Sequence, residues 1–155
     1  MQENQFIIFK LEEEQYGINI ITVQEITQFK ECNKISNMPH FVEGIINLRG
    51  KIVPIICLKK RFKIEERQIN TETRIIVVNI NDKQVGFIVD EASEVISLNE
   101  NDIELPPDMI ASVERQYITG IGKLKDKIII LLDLEKIMTN DENAMISEIK
   151  QKGDI

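Results

Sequence analysis

Apolar residues along this chain fall in short runs, each closed by Gly, Asn, Asp or a Lys/Glu cluster. They are Phe6-Ile7-Ile8-Phe9, Ile18-Asn19-Ile20 and residues 52–58, 74–80, 85–89 and 127–132. Runs of this length with turn signals at regular spacing predict strands of an all-β sandwich or barrel. Helix appears only as punctuation: one short turn after each of two strands, at 58–62 and 134–138, and a C-terminal helix over about 140–151. There Thr139 and Glu142 have capping-box spacing, and Met145, Ile146 and Ile149 form one apolar stripe expected to pack on a barrel. Gly50, Gly120 and Gly122 read as turn glycines, and Glu12-Glu13-Glu14 and Asp82 as solvated hairpin tips.

The pattern repeats. At an offset of 69 residues, Phe6-Ile7-Ile8-Phe9-Lys10-Leu11 meets Ile75-Ile76-Val77-Val78-Asn79-Ile80, and Gln15-Tyr16-Gly17-Ile18 meets Gln84-Val85-Gly86-Phe87. After a loop seven residues longer in the second half, residues 52–60 meet 128–136. Two related β-modules follow, of about 60 residues each, marginal alone and sharing one apolar interface. The division expected is one domain over 1–155, with subdomain one at about 6–69, subdomain two at about 70–138, and a joint near 64–73.

Composition agrees with strands. The chain has 155 residues, with 30 Ile, 9 Val and 9 Leu against 3 Ala, and β-branched side chains favour pleated surfaces. The charge, 19 Lys+Arg against 26 Asp+Glu, is −7 with no segregated basic patch, which argues against nucleic acid as a partner. No apolar run approaches the ~20 residues of a spanning helix, and Met1-Gln2-Glu3-Asn4-Gln5 has no export signal, so a cytoplasmic protein without membrane insertion is expected. Cys32, Cys57 and the single His40 cannot furnish a Cys/His zinc site; Cys57 reads as buried and reduced, His40 as a surface residue. Gly50-Lys51-Ile52 and Gly122-Lys123-Leu124 lack the rest of a phosphate loop, and Gly120-Ile121-Gly122 lacks the third glycine of a dinucleotide site. No catalytic residue, metal site or cofactor is therefore assigned.

One segment is more specific. In Gly44-Ile45-Ile46-Asn47-Leu48-Arg49-Gly50-Lys51-Ile52-Val53-Pro54 an Arg stands between a strand and a Gly turn, with a Pro whose missing N–H implies an edge or a bulge. Together with Val23-Gln24-Glu25-Ile26, Val85-Gly86-Phe87-Ile88-Val89-Asp90 and Tyr117-Ile118-Thr119-Gly120-Ile121-Gly122-Lys123-Leu124, it resembles the CheW-like family of bacterial chemotaxis coupling proteins over roughly residues 6–138. Cys57 departs from the family, which usually carries Asp or Asn there.

The resemblance implies two SH3-like five-stranded β-barrels on a shared hydrophobic core. It implies a non-enzymatic adaptor that joins the cytoplasmic tip of methyl-accepting chemotaxis receptors, a helical hairpin lying between the barrels, to the regulatory domain of the histidine kinase CheA. The chain would be monomeric alone and recruited to receptor arrays at the inner face of the membrane. Carried over residue by residue, the receptor site comprises Val23, Glu25, Gly44, Asn47, Arg49, Gly86 and Val95, with Glu25 and Arg49 as a facing acid and base. Either this pair orients the receptor helix or it is structural; the two glycines permit bends, admit a helix backbone, or do both. The loop carrying Glu104, Leu105, Pro106 and Met109 is the expected kinase-facing edge, or else a satellite core contact. Two rival readings remain open: a coupler in a related receptor-kinase pathway such as surface motility, and a small-ligand-binding β-barrel.

Overall fold

The structure, a computed structural model, describes residues 4–64, 69–106 and 115–137. The expected C-terminal helix and Met109 lie outside them. Apolar runs pair with their sequence neighbours as hairpins: β1 (Asn4–Leu11) with β2 (Glu14–Asn19), and β6 (Arg74–Ile80) with β7 (Lys83–Val89). So do β4 (Val42–Leu48) with β5 (Lys51–Cys57), and β10 (Ile118–Leu124) with β11 (Lys127–Leu132). The β4–β5 turn is Arg49-Gly50 with φ of 55° and 86°, and the β6–β7 turn is Asn81-Asp82 with φ of 51° and 65°. Two consecutive left-handed residues match the right-handed twist of the strands they join.

The remaining strands are β3 (Val23–Gln28), β8 (Glu91–Leu98) and the two-residue β9 (Ile103–Glu104). One sheet runs β8-β1-β2-β11-β10-β9 and the other β3-β6-β7-β5-β4, so the two barrels have six and five strands rather than five each. The extra strand is the short β9 on the edge of β10.

The sheets do not follow the division at 6–69 and 70–138. Each takes the first hairpin of one half and the later strands of the other: β1 pairs with β8, and β6 with β3. Apart from the β9 edge, the registers are duplicated. Ile8 faces Glu94 as Val77 faces Glu25, Gly17 faces Leu131 as Gly86 faces Ile55, and the bulge at Val42/Gly44 recurs at Ile118/Gly120. The molecule is therefore built on an approximate two-fold exchange at offsets of 69 and 76 residues.

Burial explains the exchange. Along β1, Ile7, Phe9 and Leu11 enter a core shared by both sheets, while Phe6 and Ile8 enter a core private to the six-stranded sheet. Their equivalents behave alike: Ile76, Val78 and Ile80 face the shared core, Ile75 and Val77 the private core of the other sheet. Strands buried on both faces read as continuous apolar runs, which is why these were conspicuous in sequence. Phe9, Tyr16, Phe62 and Tyr117 form a row through the shared core with centroids 5.6, 6.4 and 5.9 Å apart, the outer pairs stacked and the middle pair tilted. The short helix α1 (Leu58–Arg61) ends β5, and a 3-10 turn at Leu134–Lys136 ends β11, as the repeat requires.

Three local expectations are corrected. Gly120 and Gly122 lie inside β10, where a Cβ would come within 2.7 Å of Ile103 Cγ2 and 2.8 Å of Leu98 Cδ1. Pro54 is not on an edge: β5 has neighbours on both sides, and the bulge lies in β4 at Val42/Gly44, opposite Ile56 and Ile55 and next to Ile45, the partner of Pro54. Ile45 exchanges both backbone bonds with Asn33, so the Ile45–Pro54 pair carries none and the imide nitrogen points toward β7, whose pairing begins only at Ile55. Glu12 is not a solvated tip, since its carboxylate meets buried Lys59 at 2.7 Å.

Candidate protein-docking site

β3 and β4 are the two edges of the five-stranded sheet. Glu25, on β3, and Arg49, in the β4–β5 turn, meet across them at 3.2 Å, with side chains 22% and 79% exposed. Asn47 sets that turn: its Oδ1 accepts the Gly50 N–H at 2.9 Å, fixing the left-handed pair from which Arg49 projects. Val23 begins β3, half-buried against the shared core. The structure thus brings Val23, Glu25, Asn47 and Arg49 to one seam. An ion pair this exposed contributes only ~0–1 kcal/mol to stability, so Arg49 is available for other work.

The other expected receptor residues sit differently. Gly44 has φ +145° at the β4 bulge, and a Cβ there would lie 2.2 Å from the Asn33 carbonyl oxygen. Gly86 is buried, with Ile55 Cδ1 2.5 Å and Ile75 Cγ2 2.8 Å from a Cβ position. Both glycines admit close approach of the chain's own atoms. Val95, 51% exposed, lies on β8 in the other sheet, opposite Ile7 and at the position equivalent to Ile26. In the second loop Leu105 is 84% exposed and Glu104 meets Lys123 at 2.5 Å, whereas Pro106 is buried and borders a small cleft with Gln116 and Ile118. Pro106 therefore supports the loop rather than presenting an anchor.

Sequence reasoning missed two features where the sheets meet. At one junction Lys59, its side chain 7% exposed, binds Glu12 at 2.7 Å and Asp90 at 2.9 Å, and Asp90 Oδ2 also accepts the Glu12 N–H at 2.7 Å. Burial pulls the Lys59 pKa down, but hydrogen bonds and charge from Glu12 and Asp90 outweigh it, so the ammonium is held above its ordinary range. The equivalent junction is open, with a cavity of about 420 Å³ floored by Phe6, Val78 and Leu131 and rimmed by Thr22, Thr119 and Glu135. Overlaying the repeat would have flagged it, because Glu135 occupies the place of Lys59.

Among the described residues no group of three or more His, Cys, Asp or Glu is arranged to hold a metal. No helix among them is long and apolar enough to cross a membrane. The Cys32 thiol is pushed up to about 11, first by burial and then by the Glu43 charge, which makes it a poor nucleophile. The arrangement offers exposed polar anchors, apolar side chains and a cavity, which is equipment for holding another protein.

Comparison with known proteins points the same way. The family model described as CheW-like domain matches residues 5–142. A chemotaxis protein CheW of Klebsiella aerogenes is 38% identical over 145 residues, covering 94% of this chain and 87% of that protein. One from Treponema pallidum is 34% identical, covering 96% and 89%. The crystal structure of the scaffolding protein TtCheW from Thermoanaerobacter tengcongensis superposes with a TM-score of 0.83 at 41% identity, covering 92% of each chain.

Proposed function

The chain belongs to the CheW-like domain family and is a chemotaxis coupling adaptor, and from that premise we propose that it acts without catalysis by holding a receptor's cytoplasmic tip and the kinase CheA together. The observation that carries this is the seam between β3 and β4. An adaptor that recognises a helical hairpin needs apolar contact for affinity and a few fixed polar groups for register. Arg49 supplies one: the Asn47-held turn aims it, and Glu25 steadies it at 3.2 Å while most of its side chain remains in solvent. Val23 and Val95 supply apolar surface on the two barrels. Gly44 and Gly86 shape the scaffold behind them.

The kinase-facing edge is assigned to Glu104 and Leu105, with Met109 beyond the described residues, and Pro106 as their support. Partners on two separate faces are what a bridging protein requires. Bound to receptors, it would work at the inner face of the membrane in receptor arrays. CheA autophosphorylation with a receptor-tip fragment tests the proposal: added protein raises the rate, and Arg49→Asp, which melts like the parent, does not. A folded parent protein without effect would refute it.

A further inference from the structure

Glu25 reaches Arg49 only because β3 is irregular. The register of β3 on β6 shifts between Val23 and Glu25: Val23 pairs with Val78 and Glu25 with Val77, so Gln24 is an extra residue in the strand. Directly paired residues lie on one face of a sheet, and Val78 faces the shared core whereas Val77 faces the private core of the five-stranded sheet. In an unbroken strand, residues two apart share a face, and Glu25 would follow Val23 toward the shared core. The bulge turns it to the other face, where Arg49 meets it at 3.2 Å.

A bulge leaves its extra residue out of the ladder, and here a side chain holds it. Gln84 Nε2, on β7, donates to Gln24 Oε1, and the bond spans β6 because the strand order is β3-β6-β7. The molecule contains its own comparison. The same bulge recurs at Ser93, between Ala92 and Glu94, opposite Phe9 and Ile8. Gln15 stands there at the place of Gln84, but a serine stands at the place of Gln24. The acid that follows the serine, Glu94, is 45% exposed and meets Lys127 at 3.9 Å, against 22% and 3.2 Å for Glu25 with Arg49. Where the glutamine stands, the acid is drawn in; where the serine stands, it lies further out.

We propose that Gln24 is a positioning residue of the seam: tied to Gln84, it fixes the bulge that turns Glu25 toward Arg49, and so sets the direction in which the guanidinium is presented to a partner. Asn47 fixes the backbone from which Arg49 projects, and Gln24 fixes the acid toward which it leans. For the partner that Arg49 meets, this rests on the adaptor reading; it adds to that reading a residue that touches neither the partner nor Arg49.

The full chain is assayed with CheA and a receptor-tip fragment, and the guanidinium N–H exchange of Arg49 is followed by NMR. Gln24→Met and Gln84→Met keep the length of each side chain and lose the tie. Each should melt within about 4 °C of the parent, because one exposed neutral hydrogen bond is lost. Each should nevertheless need about three- to ten-fold more protein for half-maximal kinase activation. Gln24→Glu still accepts from Gln84 and should rescue coupling to within about two-fold of the parent. Gln24→Glu combined with Gln84→Glu sets two acceptors against each other and should lose coupling as the methionine variants do. Arg49 exchange should quicken at least about three-fold in Gln24→Met, a change that loss of stability alone would not confine to one side chain. Gln24→Met with parental coupling, or with unchanged Arg49 exchange, overturns the positioning role and leaves the adaptor reading standing. A folded parent without effect on the kinase overturns the adaptor reading, and the Arg49 exchange rates then decide the positioning role by themselves.

Discussion

Replacing Lys59 with Met removes the charge and keeps most of the stem. The structure predicts a large effect because the ammonium is shared by Glu12 at 2.7 Å and Asp90 at 2.9 Å, with only 7% of the side chain exposed. Breaking a buried pair by deleting one partner costs ~3–5 kcal/mol, chiefly through the unpaired charge left behind. Here two carboxylates are left, at 19% and 29% exposure, and water recovers part of the loss, so about 2–3 kcal/mol is expected. At ~2–4 °C per kcal/mol for a chain of this size, the melting midpoint should fall by about 4–12 °C. Adding Glu12→Gln and Asp90→Asn should restore at least half, because the neutral amides remain acceptors and no longer repel. The pH sign is fixed by the raised pKa. The Lys59 contribution is complete below the ordinary value of 10.5 and is lost only as pH rises through the higher folded value, so parent and variant should differ by a constant amount from pH 6 to 9. A Lys59→Met protein melting within about 2 °C of the parent would refute this role of Lys59.

Alanine at three glycines should rank by what each Cβ meets. Gly44→Ala is worst, with φ +145° strain of ~1–3 kcal/mol added to the clash with Asn33; Gly86→Ala costs ~1–3 kcal/mol from overpacking; Gly50→Ala, with φ +86° and nothing within 4 Å, costs least. Urea titration reads the order, and a Gly50 effect above that of Gly86 would contradict it. Arg61 donates to the Ile137 carbonyl at 2.6 Å and the Tyr117 hydroxyl at 2.9 Å while lying 4.9 Å over the Phe41 ring. Arg61→Lys should therefore lose ~1–3 kcal/mol in thermal melts, nearly as much as Arg61→Met, since an ammonium cannot reproduce the planar fork. Cys32, at about 11, should alkylate roughly 100-fold more slowly in the native protein than in urea at pH 8, with the native rate still climbing above pH 9. Equal rates would place its thiol in solvent.

Strands were legible wherever both faces are buried. Residues 74–80 and 127–132 are strands at the expected bounds, because β6 and β11 carry uninterrupted apolar runs. β3 and β8 escaped notice because they are edge strands of alternating or mostly polar sequence, and β10 because Gly120 and Gly122 mimic turns. The repeat itself was visible, but the exchange was not: Phe6 and Ile75 occupy equivalent places whether each hairpin joins its own half or the other. Glu25 and Arg49 came from a resemblance, and geometry then brought them together at 3.2 Å. The cavity had no signal within one segment, since its walls come from β1, β6, β11 and the Thr22 turn, and only an overlay of Lys59 on Glu135 hints at it.

That overlay explains why a duplicated fold suits an adaptor. Identical halves would present identical faces, and a two-fold molecule would then bind one partner twice. Here, apart from the β9 edge, the paired registers are kept, so the shared core and the aromatic row hold both barrels in one frame. Charge diverges at turn and helix positions that the strand ladder does not constrain. Lys125 stands at the left-handed position of Arg49, with φ of 54° against 55°, but the equivalent acid Glu94 meets Lys127 instead, at 3.9 Å. Lys59 closes one junction where Glu135 leaves the other open. Each change alters charge or access without touching the ladder, so the two barrels can be tuned toward different partners at little cost to the fold. Exchanging Arg49 and Lys125 should accordingly leave the melting midpoint within about 2 °C while destroying receptor coupling. A swap that coupled normally would mean that the position, rather than the guanidinium, is what the partner reads.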